Sequence, residues 1–172
     1  HIPTLRRLSR CLLEVFQSIP KSDLSSINYD LMWSISHEVT ERESAFLTPG
    51  EPSSSSINYL ECDGGNVLSS NAVEMMAFAI AMEHNDLETN STGRDTSRIH
   101  DRMRILLEVV GSLNDPNGSW RSRYSAALAL EACCSVLVIE EDGADTESLR
   151  RKIMMTVLEM LQDSDPDVRT VA

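Results

Sequence analysis

Apolar residues in this chain fall mostly at helical spacing. Leu5, Leu8, Leu12, Val15, Phe16 and Ile19 recur every three or four positions, which predicts a helix over about 4–19 that Pro20 stops. Leu24, Ile27, Leu31, Ile35 and Val39, with Trp33 nearby, predict a second from about 23 to 43. The pattern fails between 44 and 69. There Thr48-Pro49-Gly50-Glu51-Pro52, the serines 53–56 and Asp63-Gly64-Gly65 are turn and linker chemistry, so a long flexible loop is expected. A third helix is predicted from Asn71, where Glu74 follows in the form of a capping box, to about His84. Val73, Met76, Ala77, Ile80 and Ala81 line its inner face, and the polar stretch 86–97 predicts another loop.

The helical pattern returns at 97 with Ile99, Met103, Leu106, Leu107, Val110 and Leu113, and the turn Asn114-Asp115-Pro116-Asn117-Gly118 ends it. A helix over about 119–140 carries Trp120, Tyr124, Ala127, Leu128, Leu130, Ala132, Cys134, Leu137 and Val138. After a break at 141–145, Leu149, Ile153, Val157, Met160 and Leu161 point inward from a helix over about 146–161. No stretch alternates as a strand does. The expected fold class is all-α, built of antiparallel helix pairs: a pair at 1–43, the loop at 44–69, and helices over 70–172.

The clearest part, 98–172, repeats. Leu113, Asp115, Trp120 and Arg121 align with Leu161, Asp163, Val168 and Arg169 at an offset of 48 residues. Ile105, Leu106, Leu107 and Val110 align with Ile153, Met154, Met155 and Leu158 at the same offset. So helix, acidic turn, large apolar residue and Arg recur as one unit, near the roughly 40–47 residues of HEAT and armadillo units. The expected roles are physical. Asp115 and Asp163 accept from N–H groups at the next helix start. Trp120 and Val168 bury where two helices meet, and Arg121 and Arg169 reach the Asp of a neighbouring unit.

Composition narrows the function. The net charge of −12 argues against a dedicated nucleic-acid clamp, which needs a basic face. No apolar run approaches the roughly 20 residues of a membrane span. Cys11, Cys62, Cys133 and Cys134 match neither a disulfide framework nor a zinc site, and are expected as buried reduced thiols of a cytoplasmic or nuclear protein. His1, His37, His84 and His100 are scattered, and no phosphate loop or nucleophile elbow occurs. No catalytic, cofactor or metal residue is therefore expected. One basic concentration has two readings. Arg98, Arg102, Arg104 and Arg123 make a contact for RNA phosphate or an acidic partner, or they form a solvated face paired with Asp95, Asp101 and Glu108.

From about Ile105 to Ala172 the chain resembles HEAT-repeat proteins, through Leu113-Asn-Asp-Pro-Asn-Gly-Ser-Trp-Arg and Leu161-Gln-Asp-Ser-Asp-Pro-Asp-Val-Arg. Its start, which lacks Met, and its helix-like last residues suggest an excised segment of a longer array. The layout is also similar to the C-terminal part of the thyroid adenoma-associated protein family. Fungal members of that family are non-catalytic partners of a tRNA ribose 2'-O-methyltransferase. The resemblance implies an α-solenoid scaffold without cofactors or a reaction of its own. Its partner would be a protein, such as a methyltransferase catalytic subunit, with tRNA reached through the full-length complex. The alternative is a transport or chaperone-type adaptor, importin-like or tubulin-cofactor-like.

Overall fold

The computed structural model describes residues 10–15, 18, 28–47, 67–90, 97–139 and 144–172. These form a short helical stretch at 10–15 and the helices α1 (Tyr29–Leu47), α2 (Val67–Asn90), α3 (Ser97–Leu113), α4 (Trp120–Ile139), α5 (Ala144–Met160) and α6 (Pro166–Val171). No strand occurs among the described residues. Nor is any described helix long and apolar enough to cross a membrane.

The helices sort into pairs and rows. α1 packs on α2, and α3 on α4, while α2 and α4 lie side by side and α3 lies beside α5. Ser70 Oγ is 3.5 Å from Ser122 Oγ, and Ser125 donates to Glu74 at 2.7 Å, so α2 and α4 run in the same direction. α1 and α3 also run together, since Asp30 pairs with Arg98 and Arg102 at their N-terminal ends. Within the α3–α4 pair the chain reverses across the turn 114–119. Odd-numbered helices thus make one row and even-numbered helices the other.

Burial follows from this placement. α2 touches α1, α3 and α4, and α4 touches α2, α3, α5 and α6. A helix covered on several sides is apolar nearly all round and needs small side chains for close approach. Ala72, Ala77 and Ala79 on α2 and Ala126, Ala127 and Ala129 on α4 meet that need. Met76, Ile80, Ile99, Met103, Leu106 and Leu130 fill the space between. Truncating any of these to Ala should cost ~2–5 kcal/mol.

Several expectations shift. α2 begins at Val67 and runs to Asn90, so Asn71 sits inside the helix, buried, and does not cap it. The expected loop at 86–97 shrinks accordingly, and α1 extends to Leu47. On α1, Leu31 and Ile35 face outward, while Met32, Trp33, Ser36 and Thr40 are buried. The hydroxyls explain the rotation. Ser36 Oγ donates to the Met32 carbonyl and Thr40 Oγ1 to the His37 carbonyl, so both bury as small, satisfied side chains. Cys11 and Val15 are exposed and Leu13 is the buried residue of that stretch, while Leu161 is also exposed. Most of the expected loop at 44–69 lies outside the described residues, as do Leu5, Leu8, Ile19, Leu24 and Ile27.

The same-direction rows are testable. A Ser70→Cys, Ser122→Cys double variant should close a disulfide on mild oxidation, detected as the loss of two free thiols. Pairing Ser70→Cys with Ser112→Cys, at an exposed position of α3, should not.

Candidate partner-binding surface

The turns after α3 and α5 share one side-chain hydrogen bond and differ in where the next helix starts. Asp115 Oδ1 accepts from the Asn117 N–H at 2.9 Å, and Asp163 Oδ1 accepts from the Asp165 N–H at 2.8 Å. The acids order the turns, and the residues that cap the helices come later. Ser119 accepts from the Arg121 N–H at 3.2 Å to start α4. Asp165, followed by Pro166, accepts from the Asp167 N–H at 2.9 Å to start α6. Gly118 eases the turn, because an added Cβ would come within 3.1 Å of the Asp115 carbonyl oxygen and one of the two would have to shift.

A guanidinium does link the two turns, but it belongs to Arg123 and not Arg121. Arg123 Nε donates to Asp163 Oδ2 at 2.6 Å and Nη2 to Oδ1 at 3.1 Å, a bidentate pair buried on both sides. Its Nη1 also donates to the Gly118 carbonyl at 2.7 Å, tying one turn to the next. Arg121 sits two residues earlier, about 200° round the helix, and cannot face the same way. It stacks on the exposed Trp120 ring at 5.5 Å, and Tyr124 meets that ring edge-on at 6.3 Å. Trp120 therefore does not bury, because the first turn of α4 turns this position outward; Val168 at the aligned place is fully buried. Arg169 donates to the Asp163 and Ser164 carbonyls of its own turn.

Half of the basic concentration, Arg102 and Arg123, is spent inside the protein, while the Arg98 and Arg104 side chains stay about half exposed. Glu83 of α2 is 1% exposed and takes Arg98 through one carboxylate oxygen and Arg102 through the other. Arg102 also reaches Asp30 of α1 and stacks over Trp33 at 5.2 Å. Arg102 and Arg123 are both buried, which removes them as contacts for RNA or a partner. The solvated-face reading also misplaces their acids: Arg98 and Arg102 choose Glu83 and Asp30, and among the bases read that way Arg104 pairs with Asp101. Tyr29 closes the cluster. Burial, then Asp86 and Glu83, push its phenol up, and it donates to Asp86 at 3.4 Å.

Beside this cluster α1 and α3 stand apart around a groove of about 500 Å3. His37, Thr40 and Glu41 line one wall, and Ile105, Glu108, Val109 and Ser112 the other. Half-buried Ile105 and Val109 supply apolar surface, and exposed Glu41 and Glu108 supply negative charge. His37 stacks on Trp33 with ring centroids 6.0 Å apart and lies 3.7 Å from Glu41. Among the described residues no cluster of His, Cys, Asp and Glu is arranged to hold a metal ion. The groove suits a segment carrying aliphatic and basic side chains. Sequence reasoning missed Glu83, Asp30 and the groove. Glu83 left a signal, being a carboxylate at the end of the apolar run 75–82, where only a buried partner makes it tolerable.

Compared with known proteins, the chain matches no family model, no curated protein and no solved structure.

Two predictions follow from the charge pairs. Arg102→Ala should lower stability by ~2–4 kcal/mol in urea unfolding, because it leaves one oxygen of buried Glu83 without its arginine and only Arg98 on the other. Arg104→Ala, with a pair on one exposed helix face, should change it by less than ~0.5 kcal/mol. The second concerns pH. The hydrogen bond from Arg123 holds Asp163 below the usual carboxylate range. A carboxylate lowered in the folded state contributes fully above its unfolded pKa and loses that contribution as pH falls through the folded one. Asp163→Asn should therefore destabilise by about 2–4 kcal/mol at pH 7. The gap to the unsubstituted protein should narrow as pH falls below about 4 in thermal melts.

Proposed function

We propose that the chain is part of a non-catalytic helical-repeat scaffold, an α-solenoid of HEAT-like pairs that binds a protein partner. The observation that supports this best is the recurrence of the Asp turn at 115 and 163, within helices that sort into two rows running in register. Arg123 joining one turn to the next is what a stack of units needs to fix its spacing. The groove between α1 and α3 is the surface offered.

The narrower proposal comes from the sequence resemblance: an auxiliary subunit of a tRNA ribose 2'-O-methyltransferase complex, with the catalytic subunit as partner. A specific observation favours a second reading, a transport or chaperone-type adaptor. Arg102 and Arg123 are buried, so the face that would meet RNA is reduced, while the groove walls are acidic.

Affinity purification of the full-length protein from its source cells separates the two. Recovery of a methyltransferase with tRNA supports the first; recovery of a nucleoporin or small GTPase in its place supports the second. A Glu41→Lys, Glu108→Lys variant changes only exposed side chains and should reduce partner recovery at least tenfold. Unchanged recovery would remove the groove from the proposal.

A further inference from the structure

The groove between α1 and α3 is too thin to hold a helix. Along α3 it runs from Ile105 to Ser112, roughly 10 Å at the rise of an α-helix. Spread over that length, its volume of about 500 Å3 leaves a cross-section of roughly 50 Å2. An α-helix with its side chains is about 10–12 Å across and needs roughly 80 Å2 or more. An extended chain, rising about 3.3 Å per residue, fits with about three residues. The two carboxylates of the groove are staggered. Asp30 pairs with Arg98 and Arg102, which sets α1 and α3 level at that point. Counted from there, Glu41 lies roughly 4–5 Å further along than Glu108, and on the opposite wall. Successive residues of an extended chain point to opposite sides, so two neighbouring side chains can reach one carboxylate each.

Resting on the reading of this groove as the surface offered, we propose that its occupant is an extended segment of a partner protein, with two adjacent basic residues and an aliphatic one beside them. The bases reach Glu108 and Glu41, and the aliphatic side chain lies on half-buried Ile105 and Val109. Charge complementarity carries the choice. Glu41 is 70% exposed and meets His37 at 3.7 Å, while Arg104, one turn before Glu108, pairs with Asp101. The stretch of chain that joins α1 to α3 cannot bring the bases, since no Lys or Arg occurs between Arg42 and Arg94. The net charge of −12 draws a basic segment in from a distance. At the far end, Ser112 Oγ donates to the Val109 carbonyl and keeps its lone pairs for a backbone N–H of the segment.

Amide NMR shifts of the 172-residue chain read the site directly. At millimolar concentration the blocked peptide acetyl-Gly-Arg-Lys-Leu-Gly-amide should shift the Glu41, Glu108 and Val109 amides and leave Arg121, in the other row, unmoved. Changing Glu41→Gln and Glu108→Gln together, both at exposed positions, should weaken its binding at least fivefold and leave circular dichroism unchanged. Binding should also fall severalfold between low and physiological salt. The acidic peptide acetyl-Gly-Glu-Glu-Leu-Gly-amide should shift none of the groove amides. Equal shifts from the acidic peptide, none from the basic one, or full binding by the double variant overturns the proposal. So does tighter binding of a helix-locked peptide that bears the same three side chains. Groove amides that move in an Arg6→Ala, Arg7→Ala variant without peptide would overturn it in favour of the chain's own start. Concentration-dependent dimers in sedimentation that move the same amides would overturn it in favour of a second copy. The partner reading fails separately. Silence of the basic peptide, with partner recovery still lost in Glu41→Lys, Glu108→Lys, removes the extended basic occupant alone; peptide binding with unchanged recovery removes the partner from this groove.

Discussion

Two neighbouring helices that are each covered on several sides must meet through small side chains. α2 and α4 are that pair, and the remaining helices are arranged around them. Alanines let the two backbones approach, and few polar side chains enter their seam. Ser70 faces Ser122 there, and Ser125 donates to Glu74, whose carboxyl is pushed up by burial. These contacts set the register along the seam. With α2 and α4 aligned, α1 and α3 come to lie alongside each other, and so do α3 and α5.

Charge then fastens what apolar packing has brought together. Glu83 would be costly to bury alone; Arg98 and Arg102 of α3 pair with it, and Asp30 of α1 pairs with both arginines from behind. Arg123 and Asp163 do the same between two turns. In both places the arginines that stood out as a surface cluster in the sequence are structural. Their side chains are long enough to leave the helix they start and reach an acid on another.

The helices themselves were legible because their apolar residues keep helical spacing, and α3 was read to the residue because one of its faces is solvated. α1 and α2 were read less well, for different reasons. On α1 the buried seam uses Ser36 and Thr40, whose hydroxyls are hidden by bonds to their own helix, so hydrophobicity pointed at Leu31 and Ile35. α2 is buried nearly all round, so its ends lacked the contrast that marks a boundary. The 48-residue spacing was legible, and Asp115 and Asp163 each accept from the N–H two residues on, but the next helix is capped four residues after the first and two after the second. Which arginine links the units was not legible, since a two-residue step reverses the side of the helix and no local pattern records that. The groove between α1 and α3 was out of reach, because it depends on how far apart two helices stand.

That separation has a mechanical consequence. The even row is closely packed at α2 and α4, while the odd row is parted at α1 and α3 by a groove of about 500 Å3. A two-row stack with one tight row and one open row behaves as a lever whose fulcrum is the tight row. With helix axes about 10 Å apart, each ångström of opening between α1 and α3 swings one pair against the next by roughly 6°. Under the partner-binding proposal, the width of an occupant in the groove would set that angle.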